Sequence, residues 1–552
     1  MLMSISKEEL IDKILELDKI NRDLAERFVV WIEERKRLIE ELGRLRKENE
    51  ILREEIARLK KLPKKPVLQK NKLENSGQDR EKKDLEKKDS SWSKTSKNLV
   101  PTRIQVVKLD KVPEGFTLKE YTSWFVQERP VQVEVIEFQR AHYKKTDGGI
   151  CTAPLPIGYE GHFGPQLRAH IIYQNQVNRV PQAKILQQLR DEGFQISAGE
   201  IDNILAAGAN AFKKEQEEML HAGLAGAKMV QVDDTGARHA GKNGVCTYIG
   251  NEFFSYFKST DSKSRLNFLN LVRGKYSEYT LNDEAIAYIK QAKVPALITT
   301  FLENNRGLVA QDQATWEKCL QDAQIIVTKT SKNNIKLLTE GAIIGTIFAH
   351  DLNPEVLLSD GAPQFKLFQH ALCWIHAIRS INTLVPSNND EQVELARMWE
   401  MVHQYYKSLK GYQATPNEQS KHELLQLFDE IFINQELCFG ALQAGLINIY
   451  RQKEALLKVL DFPHIPLHNN GSEREIREYV TKRKISGGTR STTGRDLRDV
   501  FTSLSKTCRK HNISFWKFLN DRMLHTNLIP YLPGLIIQKM HVLDAQHPRS
   551  SR

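Results

Sequence analysis

The chain has 552 residues, enough for several domains and at least one large core. Lys and Arg total 80 against 69 Asp and Glu, and the formal net charge of +11 favours a polyanionic partner, most often nucleic acid. The six cysteines stand apart at 151, 246, 319, 373, 438 and 508, which indicates neither a disulfide framework nor a Cys-rich zinc site. No run of about 20 apolar residues exists to span a membrane, and the start, MLMSISKEEL, lacks the apolar core of a signal peptide. A reducing, cytoplasmic location is expected.

Residues 7–60 carry a heptad. Position d reads Leu10, Leu17, Leu24, Trp31, Leu38, Leu45, Leu52, Leu59, and position a reads Ile14, Asn21, Phe28, Arg35, Leu42, Asn49, Ile56. Leu at d with Asn at two a positions predicts a parallel two-stranded coiled coil over 1–62, because each buried Asn needs the Asn of another chain. The partner is a second copy, giving a homodimer or higher oligomer. Residues 63–100 are rich in Lys, Ser and Glu and too poor in apolar groups to offset ordering entropy, so they read as a flexible linker. Residues 101–158 read as a small β module: Val131, Val133 and Val135 alternate with Gln132 and Glu134, and Thr102–Leu109 and Leu118–Val126 are candidate neighbours.

Residues 159–226 switch to helical period. Pro165–Gln174 is one helix, and Pro181–Glu192 is a second, with Gly193 just past its end. Ser197-x-x-Glu200 is a capping box that opens a third. A helix, a Gly-containing turn and a capped helix suit a helix-turn-helix, with Glu200 and Asn203 on the helix that would read DNA.

Residues 227–545 read as an α/β domain with helical insertions at 275–350 and 388–460. Met229–Val232 is a short strand ending in Asp233-Asp234, and Val356–Ser359 is a buried strand ending in Asp360. A third acid opens the helix in Leu467–Gly488, LHNNGSEREIREYVTKRKISGG, where Ser472-x-x-Glu475 reads as a capping box. Ile476, Tyr479 and Val480 share one face; Glu473 lies about 60° from Ile476, and Glu475 and Glu478 about 100° and 160° away. Glu473 is therefore the inward acid.

Three carboxylates converging from two strand ends and a helix start would bind hard divalent cations, Mg²⁺ or Mn²⁺, rather than zinc. Two such ions can activate an attacking oxygen and stabilise the leaving oxygen of a phosphodiester. Lys482, Arg483, Lys484, Arg490 and Arg495 supply charge for DNA phosphates, and Gly487 and Gly488 would let backbone come close to them. Cys373-x-x-His376 could be half a zinc site, but no second Cys/His pair has a suitable spacing. A packed thiol and a hydrogen-bonding imidazole near the active site are expected instead.

The stretches VDDTG, LLSDG, CWIH, NNGSEREIR and KRKISGGTRSTTGRDLRDVFTSLSKTCRKHNISFWKFL occur in the order seen in the insertion sequence 66 family of DDE transposases, which residues 160–525 and the coiled-coil start resemble. The resemblance implies a multidomain α+β protein with a ribonuclease H-like catalytic domain. It implies Asp233, Asp360 and Glu473 as metal-binding triad, and on it alone rests the choice of Asp233 over Asp234. It also implies double-stranded DNA as partner, cleavage at element ends, transfer of the freed 3′-OH to target DNA, a bacterial, nucleoid-associated protein, and accessory proteins from the same element. Two features depart from the family. Residues 101–158 hold only Cys151 where a Cys-based module is usual, so zinc is doubtful. The segment between Asp233 and Asp360 is also long. The rival readings are a catalytically inactive DNA-binding relic or regulator and a metal-dependent nuclease without strand transfer.

Overall fold

The computed structural model describes residues 133–144, 150–292, 294–325 and 332–546, with six isolated helical positions between 33 and 52. Apart from those positions, the expected coiled coil, the linker and the start of the β module lie outside the described residues. From residue 133 on, the described residues divide into two compact units, a smaller one of Trp374–Leu467 and a larger one of the described residues up to Cys373 and from His468 on. Among the described residues, no helix is long and apolar enough to cross a membrane.

In the larger unit, β1 (His142–Lys144) pairs antiparallel with β2 (Ile150–Thr152). The strand expected through Val133 and Val135 does not form, and Val135 is 90 % exposed. Alternation specifies a strand only where a neighbouring strand supplies a ladder. Helices α1 (Pro165–Gln176), α2 (Gln182–Asp191) and α3 (Ala198–Leu224) follow. Gly193, at φ 96°, ends α2 in a Schellman motif: its N–H donates to Arg190 O (3.0 Å), and Phe194 N–H to Leu189 O (2.9 Å). Ser197 Oγ accepts from Glu200 N at 3.1 Å, the N-cap bond its spacing predicts. Helix α3 continues for 27 residues, far past the expected recognition segment, because Ile201, Ile204, Leu205, Phe212, Met219 and Leu220 continue its buried stripe.

The main sheet has the order β5-β4-β3-β8-β9. Strands β3 (Met229–His239), β4 (Lys242–Gly250) and β5 (Ser255–Thr260) are antiparallel neighbours, β8 (Val356–Ser359) pairs parallel with β3, and β9 (His370–Leu372) pairs parallel with β8. The β3–β4 loop is Ala240-Gly241, at φ 47° and 78°. Two positive φ values are what a two-residue type I′ hairpin needs. After α4 (Arg265–Arg273) comes the insertion: β6 (Tyr279–Thr280), α5 (Asp283–Lys290), α6 (Ala296–Asn304), β7 (Val309–Ala310), α7 (Gln313–Asp322) and α8 (Lys332–Ala349). Its two ends meet where Tyr276 and His350 stack, ring centroids 3.5 Å apart. Strands β8 (Val356–Ser359) and β9 (His370–Leu372) then complete the sheet.

The smaller unit is helical: Trp374–Ala377, Arg379–Asn382, α9 (Asn389–Ala414), α10 (Glu418–Phe432) and α11 (Gly440–Tyr450). Its core forms around Trp374, whose ring meets those of Tyr405, Tyr406, Phe428 and Phe432. Trp374 N donates to Leu467 O at 2.9 Å, so the unit's ends lie side by side.

Back in the larger unit come α12 (Asn470–Ser486), α13 (Thr492–Lys510), α14 (Phe515–Leu524) and α15 (Leu532–Gln546). Helix α13 covers the sheet's edge strand. The N–H groups of Ser255, Phe257 and Ser259 on β5 donate to Thr507 Oγ1 (3.0 Å), Ser503 Oγ (2.9 Å) and Asp499 Oδ2 (2.7 Å). Alternate strand residues thus meet a polar stripe at helical spacing, which satisfies the open edge of β5.

Candidate active site

The carboxylates come from the middle of the main sheet and the helix laid across it. Strand β3 does not stop at Val232 as its composition suggests; Asp233 and Asp234 lie inside it, because β4 pairs with β3 through to His239. The parallel pairing of β3 with β8 runs from Met229↔Val356 to Gln231↔Leu358. Continued by two residues, that register runs from Asp233 toward Asp360, which lies just past the end of β8.

Glu473 lies in the first turn of α12. That helix packs Ile476 and Tyr479 against Ala237, Cys246, Tyr248 and Phe257. Ala237 lies four residues after Asp233, and Tyr248 is its β4 partner, so α12 covers the Asp233 face of the sheet.

Electrostatics link all three acids. Burial pushes the Asp233 carboxyl up to about 7, the Asp234 backbone N–H pulls against it at 2.7 Å, and the charges of Asp360 and Glu473 push it further up. Asp360 is fixed by a local turn in which Oδ1 accepts from Ala362 N at 3.0 Å. Ser359, fully buried, accepts from Gly361 N (3.0 Å) and bonds His370 Nε2 (2.8 Å). Burial, then Lys366, lowers His370 to about 4, so the imidazole beside Asp360 is neutral at pH 7.

Asp234 faces the other way. It accepts from Thr247 Oγ1 (2.6 Å) and Gln364 Nε2 (2.7 Å), and so has a structural occupation. Glu475 pairs with Lys506 at 3.0 Å, while Glu478 pairs with Lys506 at 2.9 Å and Arg509 at 2.8 Å. The expected capping box does not form. The N-cap residue of α12 is Asn469, three residues before the expected Ser472, which lies within the first turn; Ser472 N donates to Gln231 Oε1 at 3.1 Å. A distant strand residue caps the helix, which no local pattern reveals.

An oxygen-only donor set made of mutually repelling, partly buried acids suits a hard divalent cation, which would relieve the penalty on Asp233. Among the described residues, no three His, Cys, Asp or Glu side chains gather closely enough to enclose an ion. The acids stand in one another's field without closing on a common point.

The basic residues divide. Lys482 is not available to phosphate: it is 7 % exposed, donates to Gln176 Oε1, and burial lowers its pKa well below the usual lysine range. It falls three residues after Tyr479, on the buried stripe, so helical period overrides the charge run. Arg495 is committed to Asp261 at 2.8 Å. Arg483 is half-buried, and its Nη1 would lie 3.2 Å from a Cβ at Gly236. Lys484 and Arg490 are exposed.

Residues 487–489 lie along the β3–β4 hairpin: Thr489 N donates to Arg238 O (3.0 Å) and Ala240 N to Thr489 O (2.8 Å). A Cβ on Gly488 would sit 2.5 Å from Arg238 O, so this glycine lets the chain approach its own hairpin. Gly487, at φ 69°, ends α12. The hairpin adds exposed Arg238 and Lys242, which the sequence reading missed and which bring the surface cations here to four.

Cys373 is buried, and its Sγ accepts from Asn469 N at 3.2 Å. His376 belongs to the smaller unit, so the two residues of the Cys-x-x-His pair lie in different units. On α3, Asn203 is exposed and Glu200 half-buried.

A family profile described as "Transposase IS66 family" matches residues 160–257 and 356–496. The match takes in Asp233, Asp360 and Glu473 and passes over residues 258–355, the end of β5, α4 and the insertion that follows. An uncharacterized protein, y4jO, of Sinorhizobium fredii (strain NBRC 101917 / NGR234) is 38% identical over 323 residues, which is 58% of this chain and 100% of that protein. The chain belongs to the IS66 family of transposases.

Proposed function

We propose that the protein binds the ends of an insertion sequence and catalyses metal-dependent DNA strand cleavage followed by strand transfer, with Asp233, Asp360 and Glu473 holding the metal. The observation that carries this reading is the shared field of the three acids on one face of a mixed sheet. The sheet, three antiparallel strands followed by two parallel ones, is read as ribonuclease H-like. Two Mg²⁺ or Mn²⁺ ions held by these residues would activate the attacking oxygen and stabilise the leaving oxygen. In the first step water attacks the phosphorus, the P–O3′ bond breaks and a 3′-OH is freed. In the second, that 3′-OH attacks a target phosphodiester, one P–O bond forming as another breaks.

Arg238, Lys242, Lys484 and Arg490 hold DNA phosphates at the hairpin, up to about 20 Å along β3 from Asp233. Helices α2 and α3 read sequence through Glu200 and Asn203, and the coiled coil joins two copies. Neutralising Lys484 and Arg490 together should flatten the salt dependence of duplex binding by about 0.9 in log–log slope per lost contact. Lys482→Met should leave the slope unchanged, because that ammonium already lies inside the protein.

The reading is tested by incubating the protein with Mn²⁺, labelled duplexes spanning the flanks of its own coding sequence, and a target plasmid. Label joined to the plasmid is the expected result. Nicked ends without joining would favour a nuclease, and binding without cleavage a DNA-binding relic.

A further inference from the structure

Helix α12 is tied at its start to the strand that carries Asp233, beside the local bond from Asn470 N to His468 Nδ1 at 3.4 Å. The first four N–H groups of a helix need partners outside it. The N-cap residue, Asn469, makes no side-chain capping bond. The N–H of Ser472 is satisfied instead by Gln231 Oε1 at 3.1 Å. Gln231 is 9 % exposed and lies two residues before Asp233, on the same face of β3.

The contact is tight. A Cβ on Gly471 would lie 2.1 Å from Gln231 Oε1 and 3.1 Å from its Cδ, so the amide rests directly on the helix's first turn. A second tie comes from Asn469, which is fully buried. Its Nδ2 donates to Val232 O at 3.0 Å, and its O accepts from Ser472 Oγ at 2.9 Å. Asn469 Oδ1 has no hydrogen-bond partner among the described residues.

We infer that Gln231 and Asn469 are positioning residues that fix the separation of Glu473 from Asp233, and through it the affinity of the site for a divalent cation. The inference rests on the reading of Asp233, Asp360 and Glu473 as metal-binding. Glu473 follows Ser472 directly, so two hydrogen bonds tie the third acid to the strand of the first. A one-residue slip of α12 would move Glu473 by about 1.5 Å along the axis and about 100° around it. Groups that orient metal ligands through hydrogen bonds commonly govern affinity by 10–100-fold.

The test is a Mn²⁺ titration of the full chain without DNA, with free ion read by electron paramagnetic resonance. Gln231→Met removes the acceptor oxygen at nearly constant volume, and Gln231→Asn shortens the side chain by one methylene. Each should weaken Mn²⁺ binding by about 10-fold or more while near-UV circular dichroism stays native. Lowered melting temperature with unchanged Mn²⁺ affinity would overturn the inference, since that is what packing alone predicts. If Gln231→Met fails to fold, Gln231→Asn decides. Asp233→Asn separates the two layers: if it too binds Mn²⁺ like the wild type, the metal-site reading falls and the positioning role with it. If it loses binding while the Gln231 variants keep it, only the positioning role falls.

Discussion

Asp233→Asn, Asp360→Asn and Glu473→Gln are each expected to lower DNA cleavage and joining by at least about 10³-fold while leaving end binding intact. That loss corresponds to roughly 4 kcal/mol of transition-state stabilisation, in the range of removing one preorganised charge-stabilising group. An amide keeps the shape of the carboxylate but not its charge, and the metal would be held by charge. The measurement is single-turnover cleavage of a labelled end in Mn²⁺, with a gel-shift control for binding. Activity should need Mg²⁺ or Mn²⁺ and fail in Ca²⁺, whose looser coordination misaligns the attacking oxygen.

The second large effect is on stability as pH changes. Asp233 sits at about 7 in the folded protein against an ordinary 3.8, through burial first and then through Asp360 and Glu473. Between those values the folded state keeps a proton that the unfolded chain has lost. The stability contributed is therefore fully present below about pH 4 and lost as pH rises to about 7. Asp233→Asn removes this dependence. Without metal, the variant should gain on the wild type in melting temperature from pH 4 to 7, and the gap should then level off. Each kcal/mol is worth roughly 2–4 °C in a domain of 150–250 residues. Asp499, which burial lifts to about 6, titrates in both proteins and cancels in the difference. Mn²⁺ should narrow the gap at pH 8, because an ion that binds the ionised site stabilises only the wild type. A gap that ignores pH would remove Asp233 from the cluster.

Local periodicity made part of this site legible. The wheel placed Glu473 inward because Ile476 and Tyr479 mark the buried face, and those two side chains pack on the sheet. Apolar runs that stop at a charge mark the Asp233-Asp234 pair and Asp360 as candidates, and the choice of Asp233 over Asp234 comes from the family resemblance alone. What the sequence hid is long-range. Strand β3 looks finished at Asp233 because two charges interrupt it, yet it continues because Thr247 and Gln364 satisfy Asp234 from other elements. The cap on α12 comes from Gln231, 241 positions away, so the local Ser-x-x-Glu pattern misleads. Two misses were avoidable. Lys482 lies on the same stripe as Tyr479, and the spacing Asp499, Ser503, Thr507 is a buried polar stripe that the charge-rich tail obscured. The insertion between α4 and β8 was legible as extra length, and it lies within residues 258–355, which the family match passes over.

Whether Glu473 rather than its helix neighbours completes a metal site with Asp233 and Asp360 is decided by one comparison. Mn²⁺ binding to Glu473→Gln and Glu475→Gln is measured side by side on the full chain without DNA. Glu473→Gln is expected to lose affinity by about 10-fold or more, on the order expected for a site short of one ligand. Glu475→Gln should bind like the wild type, since that carboxylate is engaged with Lys506. Wild-type binding by Glu473→Gln with loss in Glu475→Gln would contradict the assignment of Glu473.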